Sequence, residues 1–235
     1  AAGVRQGAVD VSFNGLDAPA FPSVPDFVKS LPVGQVMDWP EVLIAYRMNG
    51  QPLPMLNGFP ARLVVPGWYA TYWVKNLSDI TVTDQPFEKF WMKPAYRIPD
   101  TPCGCVEPGT APRRTVPITR MTTRSFIATP ESGTRVTAGA PVTLKGIAFD
   151  GGYGIQTVEV SGDGGRTWRA TDLGPDLGRY SFREWSARWT PGSPGAQRIM
   201  VRAVNGIGES QGRQPLWNPA GYLRNVVEHV DLEVG

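Results

Sequence analysis

The chain has 235 residues, a formal net charge of +2 and 41% hydrophobic residues. That is enough material for one large domain or two modest ones, and the composition excludes disorder as the default. The weak, scattered charge excludes a nucleic-acid binder, which carries a concentrated basic patch. No apolar run of about 18 residues exists, which excludes a membrane-spanning helix.

The stretch AAGVRQGAVDVSF at the N-terminus lacks the charged and apolar regions of a signal peptide. It enters strand-like alternation almost at once, as expected of a chain cut from something longer. AVDVSFNG predicts a strand. VPDFVKSL predicts a short helix with Pro25 in its first turn. EVLIAYRM and ARLVVPG are short apolar segments, and KNLSDITVTD leads into another strand. A linker-like break is expected within 106–122, VEPGTAPRRTVPITRMT, where prolines and polar residues punctuate the chain. The densest basic stretch, Arg113, Arg114, Arg120 and Arg124, overlaps this break and reads as a solvated face.

Beyond residue 123 the pattern is all-β. VTLKGIAFD alternates with a period of two. QTVEVSGDGGRTWRATDL predicts a hairpin turning at Asp163-Gly164-Gly165. YSFREWSARW and QRIMVRAVNG add two more alternating strands. About seven short strands with frequent turns predict an immunoglobulin-like sandwich, with Trp168, Trp185 and Trp189 in its core or at an interface. The 27 Gly and 23 Pro fit a turn-rich chain, and eight Trp suggest large interfaces or deep pockets.

Two cysteines, Cys103 and Cys105, form Cys-Gly-Cys. This spacing supports neither thioredoxin-like chemistry nor covalent haem attachment. A pair of thiols, a local bridge across a very small ring, and a metal-binding or electron-transferring thiolate all remain open. The one histidine, His229, is expected on a terminal strand. Alone, it makes neither a triad nor a His-based zinc site.

Two segments carry candidate chemistry. In NGFPARLVVPGWYATYWVK, Arg62 and Lys75 bracket a loop rich in aromatic residues, and a guanidinium with an ammonium suits phosphate and pterin oxygens. Arg62 as an ordinary surface strand residue is the alternative. In FEKFWMKPAYRIPD, Trp91, Tyr96 and Arg97 lie between Pro86 and Pro99. The Tyr96 hydroxyl could donate to an oxyanion, or its ring could serve as a loop anchor.

The run Met48-Asn49-Gly50, Asn57-Gly58-Phe59-Pro60-Ala61-Arg62-Leu63-Val64-Val65-Pro66-Gly67, then Val74-Lys75 resembles the sulfite oxidase family. LKGIAFDGG, VEVSGDGGRTW and PLWNPAGYLRN resemble that family's dimerisation domain. The resemblance covers nearly the whole chain and leans towards bacterial periplasmic sulfite dehydrogenases. It implies an incomplete α+β, sulfite-oxidase-like cofactor portion over residues 1–115, followed by an all-β immunoglobulin-like dimerisation domain over 116–235. It implies a molybdenum-molybdopterin cofactor contacted by Asn57, Arg62 and Lys75, and a catalytic Tyr96 beside the metal. Two cations and a phenol would thus converge on one centre. Sulfite would be oxidised to sulfate, with electrons passing to cytochrome c, in a homodimer or in a heterodimer with a haem subunit. The implied compartment is the periplasm.

Three departures from the family pattern stand out. The histidine before Gly-Phe-Pro is Asn57 here. The arginine that reaches towards the anion is Ala220, and Arg224 is its candidate replacement as the substrate-binding group. The molybdenum-ligating cysteine is expected upstream, so neither Cys103 nor Cys105 takes that role and this chain supplies no metal ligand. Alternatives are a non-catalytic immunoglobulin-like dimerisation or adhesion module, and a related molybdoenzyme acting on nitrate or sulfane sulfur.

Overall fold

The computed structural model describes residues 3–235 and divides into two compact units. The first comprises residues up to Thr119 together with Asn218–Tyr222. The second comprises Arg120–Trp217 and Leu223–Gly235.

In the first unit, β1 (Asp10–Gly15) is the middle strand of a three-stranded antiparallel sheet. Its neighbours are β2 (Lys29–Pro32) and, beyond the short elements between, the Leu77–Thr83 strand. Alternation in β1 sends Val11 and Phe13 into a core shared with Leu31, Leu63, Val65, Trp68, Tyr72 and Val74. The helix expected over VPDFVKSL is absent. Lys29–Pro32 instead takes the free edge of β1, with Phe13 opposite Lys29 and Asp10 opposite Pro32. Sheet pairing overrides the weak helical propensity of so short a segment. The helix comes next, as the six-residue α1 (Val33–Asp38) entered from Pro32.

The remaining elements of this unit are small strands. They are β3 (Leu43–Ala45), β4 (Arg47–Met48), β5 (Gln51–Pro52), β6 (Arg62–Val64), β7 (Leu77–Thr83), β8 (Arg97–Pro99) and β9 (Thr115–Pro117). They pair β3 with β6, β4 with β5 and β8 with β9. With one α-helix among the described residues, the unit is mostly β, which corrects the α+β expectation. Part of the linker-like stretch is also structured, because Thr115–Pro117 pairs with Arg97–Pro99.

The second unit is a two-sheet sandwich. One sheet has the order β10 (Arg124–Thr129), β12 (Val142–Phe149), β16 (Arg183–Trp189), β15 (Asp172–Leu173). The other runs β11 (Arg135–Val136), β18 (Glu228–Val234), β17 (Gly195–Asn205), β13 (Ile155–Ser161), β14 (Arg169–Ala170). Leu144, Ala148 and Trp185 from the first sheet meet Val158, Val160, Ile199, Val201, Ala203, Val230 and Leu232 from the second. This arrangement fits an immunoglobulin-like sandwich. Trp185 is core, Trp189 packs against it, and Trp168 lies under the Arg202 guanidinium, 4.3 Å from its ring centroid. His229 stands on β18 opposite Met200. The predicted hairpin forms, and the Asp163 carboxylate caps its turn by accepting from the Arg166 and Thr167 amides and the Thr167 and Ser161 hydroxyls.

Candidate cofactor-binding site

Pro54 leads into a 3-10 turn, Met55–Asn57, that stops at Gly58 in the left-handed region at φ 103°. Glycine is required twice over. Its φ disfavours any side chain, and a Cβ there would lie 3.0 Å from the Lys75 Cβ and 3.1 Å from the Arg62 Cβ. The turn therefore sits directly on the two chain segments that carry those cations. They are held side by side: the Leu63 amide donates to the Val74 carbonyl at 2.9 Å, and the Leu77 amide donates to the Ala61 carbonyl at 2.8 Å. Asn76, itself at φ 52°, donates from its side-chain nitrogen to the Phe59 carbonyl at 2.6 Å and locks the turn from outside.

Both cations end on carbonyls of this turn. Arg62 Nη1 donates to the Asn57 carbonyl at 3.1 Å, and Lys75 Nζ donates to the Leu56 carbonyl at 3.1 Å. Thus Asn57 takes part through its backbone. The Arg62 guanidinium also faces the Trp73 ring at 5.5 Å, and Trp73 is fixed by donating to the Val65 carbonyl. Neither cation forms an ion pair with a carboxylate among the described residues. Burial pulls the Arg62 pKa down, and its Nε–H is buried with no hydrogen-bond partner. A guanidinium and an ammonium on one turn, uncompensated and with one donor unanswered, fit a phosphate-bearing pterin.

Tyr96 lies in a second cluster of the same unit. Its backbone is left-handed at φ 55°, uncommon for an aromatic residue. It is held by its carbonyl, which accepts from the Ile118 amide at 2.9 Å, and by the next residue. Arg97 donates to the Met92 carbonyl, the Thr115 hydroxyl and the Thr115 carbonyl, pinning the loop to β9. The Tyr96 ring stacks on Tyr222 with centroids 5.9 Å apart and meets Phe27 and Trp91 at 6.2 and 6.0 Å. Asn218 fixes the Tyr222 loop by donating to its carbonyl and accepting from its amide. Against these rings lies Lys29, 1% exposed, whose ammonium donates to the Trp91 carbonyl at 2.6 Å. It sits 4.5 Å from the Tyr72 ring centroid and 4.9 Å from that of Tyr96. Burial lowers its pKa to about 8, and burial, partly offset by the charge of Arg97, pushes the Tyr72 phenol well above its usual range.

The structure thus resolves the expected single convergence into two clusters. Arg62 and Lys75 share the Leu56–Gly58 turn, while Tyr96 keeps company with Lys29. The consecutive residues Tyr72 and Trp73 connect them, Trp73 against Arg62 and Tyr72 against Lys29. Sequence reasoning passed over Lys29, since a lysine beside Ser-Leu-Pro gives no sign of burial. Arg224, in the second unit, forms a bidentate pair with Glu228 at 2.8 and 3.0 Å, and Glu228 also accepts from Arg124 at 2.9 Å. Cys103 and Cys105 are joined in a disulfide with Cα atoms 5.1 Å apart, which settles the three readings of that pair in favour of the local bridge. Among the described residues, no cluster of three His, Cys, Asp or Glu side chains could hold a metal.

Comparison with known proteins agrees with this chemistry. Residues 1–91 match the model of the oxidoreductase molybdopterin binding domain, and residues 115–234 match that of the Mo-co oxidoreductase dimerisation domain. Mitochondrial sulfite oxidase of Rattus norvegicus is 33% identical over 242 residues, covering 98% of this chain and 43% of that protein. The NADH nitrate reductase of Solanum lycopersicum is 26% identical over 262 residues, covering 98% of this chain and 27% of that protein. The crystal structure of the sulfane dehydrogenase SoxCD from Paracoccus pantotrophus superposes with a TM-score of 0.80 at 25% identity, covering all of this chain and 59% of that one. The chain spans less than half the length of the sulfite oxidase it matches. It belongs to the sulfite oxidase family of molybdenum-cofactor oxidoreductases.

Proposed function

We propose that this chain is part of an enzyme that oxidises sulfite to sulfate at a molybdenum-molybdopterin centre and passes the electrons to a cytochrome c. The observation that carries the reading is the pair of carboxylate-free cations on one glycine turn, within a region that matches a molybdopterin-binding domain. Bound there, the cofactor supplies two-electron redox chemistry, and the protein supplies orientation and electrostatics. Arg62 and Lys75 hold its anionic groups, with the Arg62 Nε–H available for a further contact. The Tyr96 hydroxyl, on a backbone fixed by Arg97 and Ile118, donates to an oxygen of the bound oxyanion. The dimerisation-domain match supports a homodimer, and the likeness to SoxCD supports a complex with a partner subunit; that this subunit bears haem and that the complex works in the periplasm are parts of the proposal that rest on family resemblance.

A second reading, oxidation of sulfane sulfur, is favoured by the superposition with a sulfane dehydrogenase over the whole chain. The nitrate reductase relative adds nitrate as a third substrate to test. Metal analysis of the holoprotein, with cytochrome c reduction measured on sulfite and on a sulfane donor and nitrate consumption measured with a reduced dye, separates the three. A well-folded full-length protein that carries no molybdenum would remove all of them.

A further inference from the structure

Lys29 is an anomaly in the first unit. Its side chain is buried, yet among the described residues no carboxylate lies within ion-pairing distance. An ammonium has three hydrogens to place, and here one carbonyl, that of Trp91, accepts. Two ring faces take the remainder, Tyr72 at 4.5 Å and Tyr96 at 4.9 Å. Ring faces attract a cation but replace its lost hydration incompletely. By contrast, Asp150, the buried carboxylate of the second unit, accepts from the amides of Gly152, Tyr153 and Gly154. A second anomaly adjoins the first: Tyr96 holds a strained left-handed backbone, and such strain persists where the surroundings over-determine it and clusters at functional sites.

We propose that Lys29 is the built-in positive charge of the Tyr96 site, a positioning residue whose ammonium fixes the Tyr96 ring and sets the affinity of the site for a small oxyanion. The ammonium anchors both ends of the relevant loop, its start through the Trp91 carbonyl and its end through the Tyr96 ring. A dianion at the Tyr96 hydroxyl supplies the counter-charge that the fold leaves out. The proposal rests on the oxyanion reading of this site given above.

Its signature is a pH dependence. The groups facing Lys29 are Tyr72 and Tyr96, with Arg97 near enough to act on Tyr72. Burial pushes the Tyr72 phenol well above its usual range, so it stays neutral while Lys29 changes charge. Its pKa stands near 8, lowered by burial. Binding of a dianion favours the charged form, so affinity is full below this value and falls as pH rises through it.

The test uses the holoprotein and sulfate, a dianion throughout the range, with tryptophan fluorescence or calorimetry as the readout. Wild-type affinity is expected to fall about tenfold between pH 7 and pH 9.5, the change one lost charge contact of about 1.4 kcal/mol would give. Lys29→Met is expected to bind about tenfold more weakly at pH 7 with no further fall. Lys29→Arg is expected to retain affinity and abolish the basic limb, because a guanidinium stays charged. Wild-type sulfate affinity that is flat across pH 8 would overturn the proposal, even if Lys29→Met cannot be folded. Unchanged binding in Lys29→Met would do the same. If the holoprotein fails to oxidise sulfite while sulfate binding still falls through pH 8 and Lys29→Arg flattens it, the substrate reading fails and the role of Lys29 stands.

Discussion

Arg62 and Lys75 grip neighbouring carbonyls of one turn, those of Asn57 and Leu56, from chain segments separated by the whole Pro66–Trp73 loop. Gly58 favours this, because its left-handed φ strains any side chain and an added Cβ would press on the Lys75 and Arg62 Cβ atoms at 3.0 and 3.1 Å. Each cation is committed to one carbonyl and retains donors for a ligand. Charge-assisted hydrogen bonds contribute about 1.5–3 kcal/mol each. Arg62→Gln in the holoprotein is therefore expected to weaken cofactor retention about tenfold to a hundredfold. Lys75→Met is expected to act in the same direction and less strongly, since an ammonium lacks the planar fork. The molybdenum-to-protein ratio after extended dialysis, with released pterin measured by fluorescence, checks both. Full metal occupancy in both variants would remove these residues from the cofactor site.

How much of this was legible in the sequence depends on which distances mattered. The period-two strands were plain, because Leu144, Gly146 and Ala148 on β12 all face the core and their neighbours do not. The Arg62 and Lys75 turn was legible through motif resemblance, since the whole pattern lies within one continuous run. Burial of Lys29 was not, because it depends on Tyr72 and Tyr96 closing over it from distant parts of the chain. For the same reason 24–31 read as a helix: nothing local in VPDFVKSL announces that β1 has a free edge. The β8 and β9 pair hid in a proline-rich stretch because its prolines, Pro99 and Pro117, sit at strand ends, where a missing N–H is tolerated.

The Arg124, Arg224 and Glu228 triad gives the second unit an acid-sensitive contact. The Glu228 pKa is lowered, first by the hydrogen bond from Arg224 and then by the charges of both arginines. A carboxyl depressed in this way adds stability above its unfolded value of about 4.3 and loses it as pH falls through the folded value. Glu228 is mostly buried while Arg224 is half in solvent, so the contribution should be about 1–2 kcal/mol, between exposed and buried pairs. Glu228→Gln should lower the melting temperature at pH 7, and the gap from wild type should close below about pH 4. A gap that persists undiminished at pH 3 would show that the charges are not its source.

Reduction of the Cys103–Cys105 disulfide should cost little. The bond closes a loop of three residues, and the chain-entropy relation gives about 1.6 kcal/mol for so short a loop, against about 3 for one of fifteen. A Cys103→Ser, Cys105→Ser variant is expected to melt within a few degrees of wild type. Its molybdenum content should be unchanged, since these cysteines are assigned no part in the cofactor site. A large loss of metal in that variant would give the pair a role that its place in the loop does not suggest.

Gln211 is the polar keystone of the sandwich. Its side-chain oxygen accepts from the amides of Ser125 and Ala203 at 2.7 and 3.0 Å, and its nitrogen donates to the carbonyls of Ser125 and Val226 at 3.3 and 2.6 Å. One buried amide group thus satisfies backbone on both sheets and on the segment entering β18. Ser125 continues the network, its hydroxyl donating to the Ile147 carbonyl and accepting from the Trp185 indole. Gln211→Ala strands four buried backbone groups at about 1–3 kcal/mol each, less whatever water re-enters the cavity. An overall loss of about 3–5 kcal/mol is expected. Gln211→Glu separates hydrogen bonding from volume: a carboxylate can still accept from Ser125 and Ala203 but cannot donate to Ser125 and Val226. It should therefore destabilise nearly as much at pH 7 and recover partly at low pH, where the protonated acid regains one donor. Denaturant unfolding followed by tryptophan fluorescence at pH 7 and pH 4 distinguishes these outcomes, and a Gln211→Glu variant as stable as wild type at pH 7 would refute the donor half of the argument.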